Sequence, residues 1–213
     1  MKLEEFITKK AFLYHLTDRA NFDKIKADKE LLSTEAIVNL SSLDDNTKSE
    51  FLSQRRKSHE TIEIGEHKYH IRDQRPISPL NLVKCLTTGF SVKDFFRMLN
   101  NRVFFWPTIK RLNSHYKRYA RENPIIIMVS TDELLKINPH SEFCRLNSGA
   151  TRSNSHLKGA PPERGNGTFL PAEEFKYTVG KVAEVTFPNN CKLPNKIYTG
   201  ETPDGPWEEV ILS

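Results

Sequence analysis

The run Arg102-Val103-Phe104-Phe105-Trp106-Pro107 sits at the middle of the chain and constrains what can surround it. Apolar and aromatic residues follow the Asn100-Asn101 turn signal and stop at a proline, which lacks an N–H and fixes φ, so the run reads as a short buried strand. Ahead of it, Ser91 can cap a helix whose Val92, Phe95, Phe96 and Leu99 fall at the i, i+3, i+4, i+7 spacing of one buried face. Behind it, Ile109, Leu112, Tyr116 and Tyr119 repeat the pattern. The result is a helix, strand, helix unit whose strand exit offers flat π surface to a planar ligand. Packing alone would also account for Phe104, Phe105 and Trp106.

A chain of 213 residues can bury one sizeable core, and nothing in it forces a division, so a single domain over 1–213 is expected. The net charge of +5 comes from 32 basic and 27 acidic residues, a mixed surface that supports a nucleic-acid partner only weakly. Cys85, Cys144 and Cys191 are odd in number and far apart, with no C-x-x-C pair, which argues against a disulfide framework or a zinc ribbon and fits a reducing cytoplasm. No stretch approaches the roughly 20 apolar residues of a membrane span, so no membrane partner is expected.

Ala11 to Thr17 reads as a strand, with Thr17 or Asp18 capping a helix that turns Phe22 and Ile25 inward. His15 is thereby expected at a strand end beside a helix N-terminus, where free N–H groups can hold an anionic or hydroxyl-rich ligand. Thr34 is expected to cap a second helix with Ile37, Leu40 and Leu43 inward. Asp44 to Glu60, with Arg55-Arg56-Lys57, reads as a solvated charge run. Thr61 to Asp73 alternates about Gly65-Glu66 as a hairpin does. His67-x-x-His70 has neither helical spacing nor a third ligand, so no metal site is expected. Pro124 to Val129 is a continuous apolar run, hence a buried central strand, and Ser130-x-x-Glu133 opens a short helix. Phe143 to Leu146, Lys181 to Phe187 and Trp207 to Leu212 read as strands. The Gly-, Pro-, Ser-, Asn- and Arg-rich stretch from Asn147 to Gly167 has the length of loops that are functional or disordered.

In Lys181 to Phe187, alternation sets Ala183, Val185 and Phe187 on one face and Val182, Glu184 and Thr186 on the other. Glu184 is then a half-buried carboxylate among apolar neighbours, costly unless a ligand hydroxyl or a cation meets it. An exposed glutamate on a solvent face is the alternative.

Tyr14-His15-Leu16-Thr17, Phe104 to Pro107 and Ala183-Glu184-Val185 resemble, in this order, the motifs of the DarT-type ADP-ribosyltransferases. The chain is also similar to an uncharacterised bacterial family marked by FFWP, NSGAT and RG-x-x-TF, here Phe104 to Pro107, Asn147 to Thr151 and Arg164-Gly165-x-x-Thr168-Phe169. The resemblance spans Phe12 to about Leu193. It implies an α+β fold in which split antiparallel sheets, with helices packed on them, surround an NAD cleft. NAD would be a substrate, with no metal required. Glu184 and Arg72 would be catalytic, the carboxylate stabilising an oxocarbenium-like centre and the arginine clamping the pyrophosphate, with Arg55 as second choice for the clamp. His15, Thr17, Arg72, Phe105, Trp106, Tyr116 and Asn147 would bind NAD.

The implied activity is transfer of ADP-ribose to a nucleic-acid base by a toxin or phage-defence enzyme, with an antitoxin as a further partner. A single-stranded DNA or RNA acceptor would meet Arg111, Lys117, Arg118, Arg152 and Arg164. Protein or water as acceptor, and a noncatalytic binding module, remain open at this stage. After Pro107 the chain departs from the DarT pattern, with Thr108-Ile109-Lys110 where an Arg-Ser pair is expected.

Overall fold

A computed structural model of the chain describes residues 1–151 and 162–212. Its largest sheet is antiparallel and has four strands, ordered β1 (Phe12–Asp18), β6 (Pro124–Ser130), β10 (Lys196–Gly200) and β11 (Glu208–Ile211). The apolar run forms β6, an interior strand that pairs with β1 from Phe12↔Ser130 to Asp18↔Pro124. Its apolar side chains divide between two cores: Ile127 and Val129 enter the main one, while Ile126 and Met128 pack with Tyr14, Trp106 and Leu112 on the opposite face.

The second sheet is also antiparallel, with β8 (Glu184–Pro188) between β5 (Arg102–Phe105) and β7 (Glu142–Cys144). Val103, Phe105, Val185 and Phe187 point into the main core, where Phe105 and Phe187 meet edge to face at 5.5 Å. The sheet's other face carries Phe104, Glu184 and Cys144, and it is covered too. The helices α5 (Pro79–Val83) and α6 (Val92–Asn100) build a second core there from Leu82, Phe95, Phe96 and Phe169, with Cys144 inside it. Backbone bonds between Tyr14 and Trp106, at 2.8 and 3.0 Å, tie β1 to the chain leaving β5 and so join the sheets.

The remaining strands are short: β2 (Glu30–Leu32) pairs with β9 (Asn190–Lys192), and the expected hairpin forms from β3 (Glu60–Ile64) and β4 (His67–Ile71), with Gly65 at φ 59° in its turn. Ser91 caps α6 in a reciprocal capping box with Asp94, and Thr108 caps α7 (Ile109–Tyr119). The arrangement is α+β, with antiparallel sheets that do not close into a barrel. No described helix is long and apolar enough to cross a membrane.

Three local expectations are corrected. Ser33, not Thr34, caps α3 (Thr34–Leu40), and the one-residue shift buries Val38 while Leu40 faces out. The strand expected from Lys181 begins only at Glu184, because Val179–Lys181 forms a 3-10 turn. That turn breaks the alternation, so Val182 joins the core with Val185 rather than sharing the face of Glu184. His15 is mid-strand in β1 and not beside a helix N-terminus, since β1 runs on through Asp18 and a 3-10 turn (Arg19–Asn21) precedes the next helix, α2 (Phe22–Asp28).

Candidate functional site

A cavity of about 440 Å³, within the usual range of small-molecule sites, lies where β1, the exit of β5, α7, the end of β4 and the loop after β7 converge. The inward face of β1 explains its position. Leu13 lies in the main core, and His15 and Thr17, two and four residues on, keep the same face as the strand leaves that core and so reach the cavity. A second cavity of about 430 Å³, between α2 and the β3–β4 hairpin, holds none of the expected site residues.

Glu184 is only 4% exposed, because α5, α6 and the loop after β7 cover its face of the sheet. Burial pushes its carboxyl up to about 7, against the pull of hydrogen bonding from Ser148 and the charges of Arg111 and Arg164. The Ser148 N–H reaches the two carboxylate oxygens at 3.1 and 3.2 Å. The group is therefore poised between its charged and neutral forms near neutral pH, and a cation entering the cavity would draw it into the charged form.

His15 Nδ1 lies 2.8 Å from the Phe104 carbonyl. A carbonyl only accepts, so Nδ1 carries the proton and Nε2 remains an acceptor. Burial, aided by the charge of Arg72, lowers this histidine to about 4, which leaves it neutral at pH 7. Trp106 stacks on His115 with ring centroids 4.4 Å apart, and His115 in turn meets Tyr119 at 5.0 Å, so α7 and the strand exit form a continuous π wall. His115 is driven down to about 3, first by burial and then by Arg72, and it too is neutral.

Arg72 lies over the Tyr119 ring at 4.4 Å, pairs with Glu122 at 3.2 Å and donates to the Thr17 carbonyl at 3.1 Å. Its Nε is buried and has no partner among the described residues. Arg56 is buried in the same wall, donating to Asn100 Oδ1 at 2.8 Å and to the Arg72 carbonyl at 3.2 Å, with no carboxylate within ion-pair distance among the described residues. A buried cation without a counterion is costly, and an anionic ligand would offset that cost.

The cavity thus brings together Glu184, His15, Thr17, Arg72, Trp106 and Asn147, which are drawn from stretches far apart in the chain. Other expectations do not fit. Phe105 faces the main core because strand alternation gives the cavity to Phe104, and Tyr116 turns toward the Tyr14–Trp106 cluster instead of the cavity. Arg55 lies outside the cavity wall and spends its donors on the carbonyls of Gln74 and Arg75; its neighbour Arg56 lies in that wall. Among the basic residues expected to meet nucleic acid, Lys117 and Arg118 are exposed on α7, and Arg111 is half-buried. Arg164 is 1% exposed and cannot offer a surface charge, since its guanidinium is used inside the protein. Arg152 lies outside the described residues.

Sequence reading missed His115, Arg56 and Ser148. The i, i+4 pair His115 and Tyr119 on α7 was the available signal for the first; Arg56 was masked by its charged neighbours, and Ser148 reaches Glu184 through a backbone N–H that side-chain patterning does not reveal. Among the described residues no group of three or more His, Cys, Asp or Glu is placed to hold a metal ion.

The chain belongs to a family of unknown function, DUF7002, which matches residues 11–195 and so covers every described residue of the cavity. No curated protein and no solved structure matches it.

Proposed function

We propose that this protein is an NAD-dependent ADP-ribosyltransferase whose donor site is the Glu184 cavity. The observation that carries the reading is the convergence on one cavity wall of a buried, hydrogen-bonded carboxylate, a neutral histidine acceptor, an aromatic stack, the buried Arg56 and the half-buried Arg72. Each answers to one part of a dinucleotide. The pyrophosphate would lie against Arg72 and Arg56, flat rings against the Trp106–His115 wall, and a ribose or amide donor at His15 Nε2.

In the reaction the C1′–N bond to nicotinamide breaks, and its electron pair leaves with the nicotinamide. Positive charge develops on the ribose, and the acceptor's nucleophile adds to C1′ from the opposite face. Glu184, ionised and accepting from the ribose 2′-OH, would stabilise that charge at a place where water is excluded. The positive charge of the bound nicotinamide ring also favours the ionised form of a carboxyl that otherwise titrates near 7.

The acceptor we favour is a base in single-stranded nucleic acid, supported by Lys117 and Arg118 exposed on α7, the helix whose Arg118 also borders the cavity. The internal use of Arg164 shrinks the expected basic surface, and that favours, as a second reading, NAD hydrolysis with water as acceptor. Incubation with NAD labelled in its adenylate half, in the presence of separate pools of DNA, RNA and protein, tests both. Label on single-stranded nucleic acid supports the first reading and free ADP-ribose the second; intact NAD in every pool overturns both.

A further inference from the structure

The side chain of Arg164 is among the most deeply buried in the protein, and the NAD chemistry proposed above does not use it. Its guanidinium donates to the carbonyl oxygens of Ser148 at 3.1 Å, Asn147 at 3.3 Å, Ala150 at 2.6 Å and Pro162 at 2.8 Å, and Nη1 lies 3.5 Å from Cys85 Sγ. One side chain thus fastens the loop from Asn147 to Ala150 and, beyond residues 152–161, its own incoming segment. Its backbone is pinned as well: its N–H donates to Cys85 at 2.7 Å, and its carbonyl accepts from Thr87 at 2.9 Å.

The neighbours of Arg164 make this approach possible. A Cβ at position 165 would lie 2.0 Å from Thr87 Oγ1, so only glycine allows the segment to come this close. Thr168 Oγ1 accepts the Gly165 N–H at 2.8 Å, and Phe169 anchors the turn in the second core, 6.0 Å from Phe104. On the other loop, Thr151 Oγ1, fully buried, accepts the Ser78 N–H at 2.9 Å. Asn147 to Thr151 and Arg164 to Phe169 therefore form one cradle, and what the cradle presents is the Ser148 N–H that reaches both oxygens of Glu184.

We propose that Arg164 is a positioning residue: it holds the 147–150 loop so that the Ser148 N–H fixes the orientation and ionisation of Glu184. Removing it frees the loop carbonyls and lets the N–H drift, which leaves Arg111 to oppose desolvation of the carboxylate with weakened hydrogen bonding from Ser148. Among the described residues Cys144, opposite it on β7, and Arg111 on α7 act on Glu184; Arg56, Arg72, Asp73, Arg102 and Arg118 line the same cavity, and His15 and His115 share it and stay neutral above pH 6.5. The effect on turnover rests on the NAD reading, but the effect on Glu184 does not.

Two measurements on the full chain keep these apart. The first is thermal stability against pH for the wild type, Arg164→Lys, Gly165→Ala and each combined with Glu184→Gln. The wild type should lose stability as pH rises through about 7, where buried Glu184 ionises. In Arg164→Lys and Gly165→Ala that loss should move up by roughly one pH unit, and the displacement should vanish when Glu184 is Gln. The second is turnover: Arg164→Lys should lower kcat for nicotinamide release roughly tenfold or more while KM for NAD holds. A purely structural arginine would lower stability equally at all pH values, with or without Glu184, and that result in both variants overturns the proposal. Absence of NAD turnover in the wild type would overturn the NAD reading and leave the pH comparison to decide for Arg164.

Discussion

Around Arg72, charges interlock: Glu122 meets Arg72 at 3.2 Å and His59 at 2.8 Å, and Asp73, with its side chain 1% exposed, meets Arg75 at 2.6 Å. Burial would raise the Asp73 carboxyl, but the hydrogen bonds and charge of Arg75 hold it below its usual range. Around Glu184 no cation stands within ion-pair distance among the described residues; burial outweighs the hydrogen bonding of Ser148 and the more distant charges of Arg111 and Arg164, lifting the carboxyl to about 7. The first region has its charges fixed in advance, as an anion clamp requires. The second has a charge that a ligand can call up, as a group that stabilises a developing cation requires.

The sharpest way to break this comparison is Glu184→Gln. It keeps size and most hydrogen bonding but removes the charge, so nicotinamide release should fall on the order of 100- to 1000-fold. The same change should stabilise the fold at pH 8. The folded-state value of Glu184, about 7, lies above its free value of 4.5, so its favourable contribution is present below pH 4.5 and lost as pH rises through 7. Relief of that burden is worth on the order of 2–3 kcal/mol, read as a higher Tm of the variant at pH 8 than the wild type. His15 and His115 act in the other window: their values, lowered to about 4 and 3, give stability present above 6.5 and lost as pH falls through those values. Acid unfolding of Glu184→Gln should therefore remain.

Arg72→Gln probes the fixed region. It removes a charge-assisted clamp while Glu122 keeps His59 as a partner, and calorimetry should show NAD bound about 10- to 100-fold more weakly, with a smaller change in kcat. His115→Leu removes one ring of the π wall but keeps its bulk, and should weaken NAD by a few-fold. Smallest of all, Glu173→Gln and Glu174→Gln, in an exposed turn outside the cavity, should leave turnover within about two-fold. A large effect at either would mean that the carboxylate that matters is not the buried one.

The local periods of the chain revealed much of this fold. Ser91 with Phe95, Phe96 and Leu99 predicts α6 because capping and a 3.6-residue stripe are local signals, and Pro124 to Val129 predicts β6 because an all-apolar run can only be buried on both faces. What escaped was tertiary. Alternation shows that Phe104 and Phe105 point to opposite faces of β5, but not which face opens on a cavity. It shows Glu184 opposite Val185, but not that α5 and α6 cover the Glu184 face while Val185 enters the main core. Arg164 read as surface charge because arginine usually is, and only the carbonyls of residues 147, 148, 150 and 162 gathered around it show otherwise.

The most direct test is to measure NAD affinity and nicotinamide release side by side for the wild type and Glu184→Gln. If Glu184 has its proposed role, the dissociation constant stays unchanged within a few-fold and release falls at least about 100-fold, because the carboxylate would act on charge that appears only as the C1′–N bond breaks. Release by Glu184→Gln at the wild-type rate would contradict it.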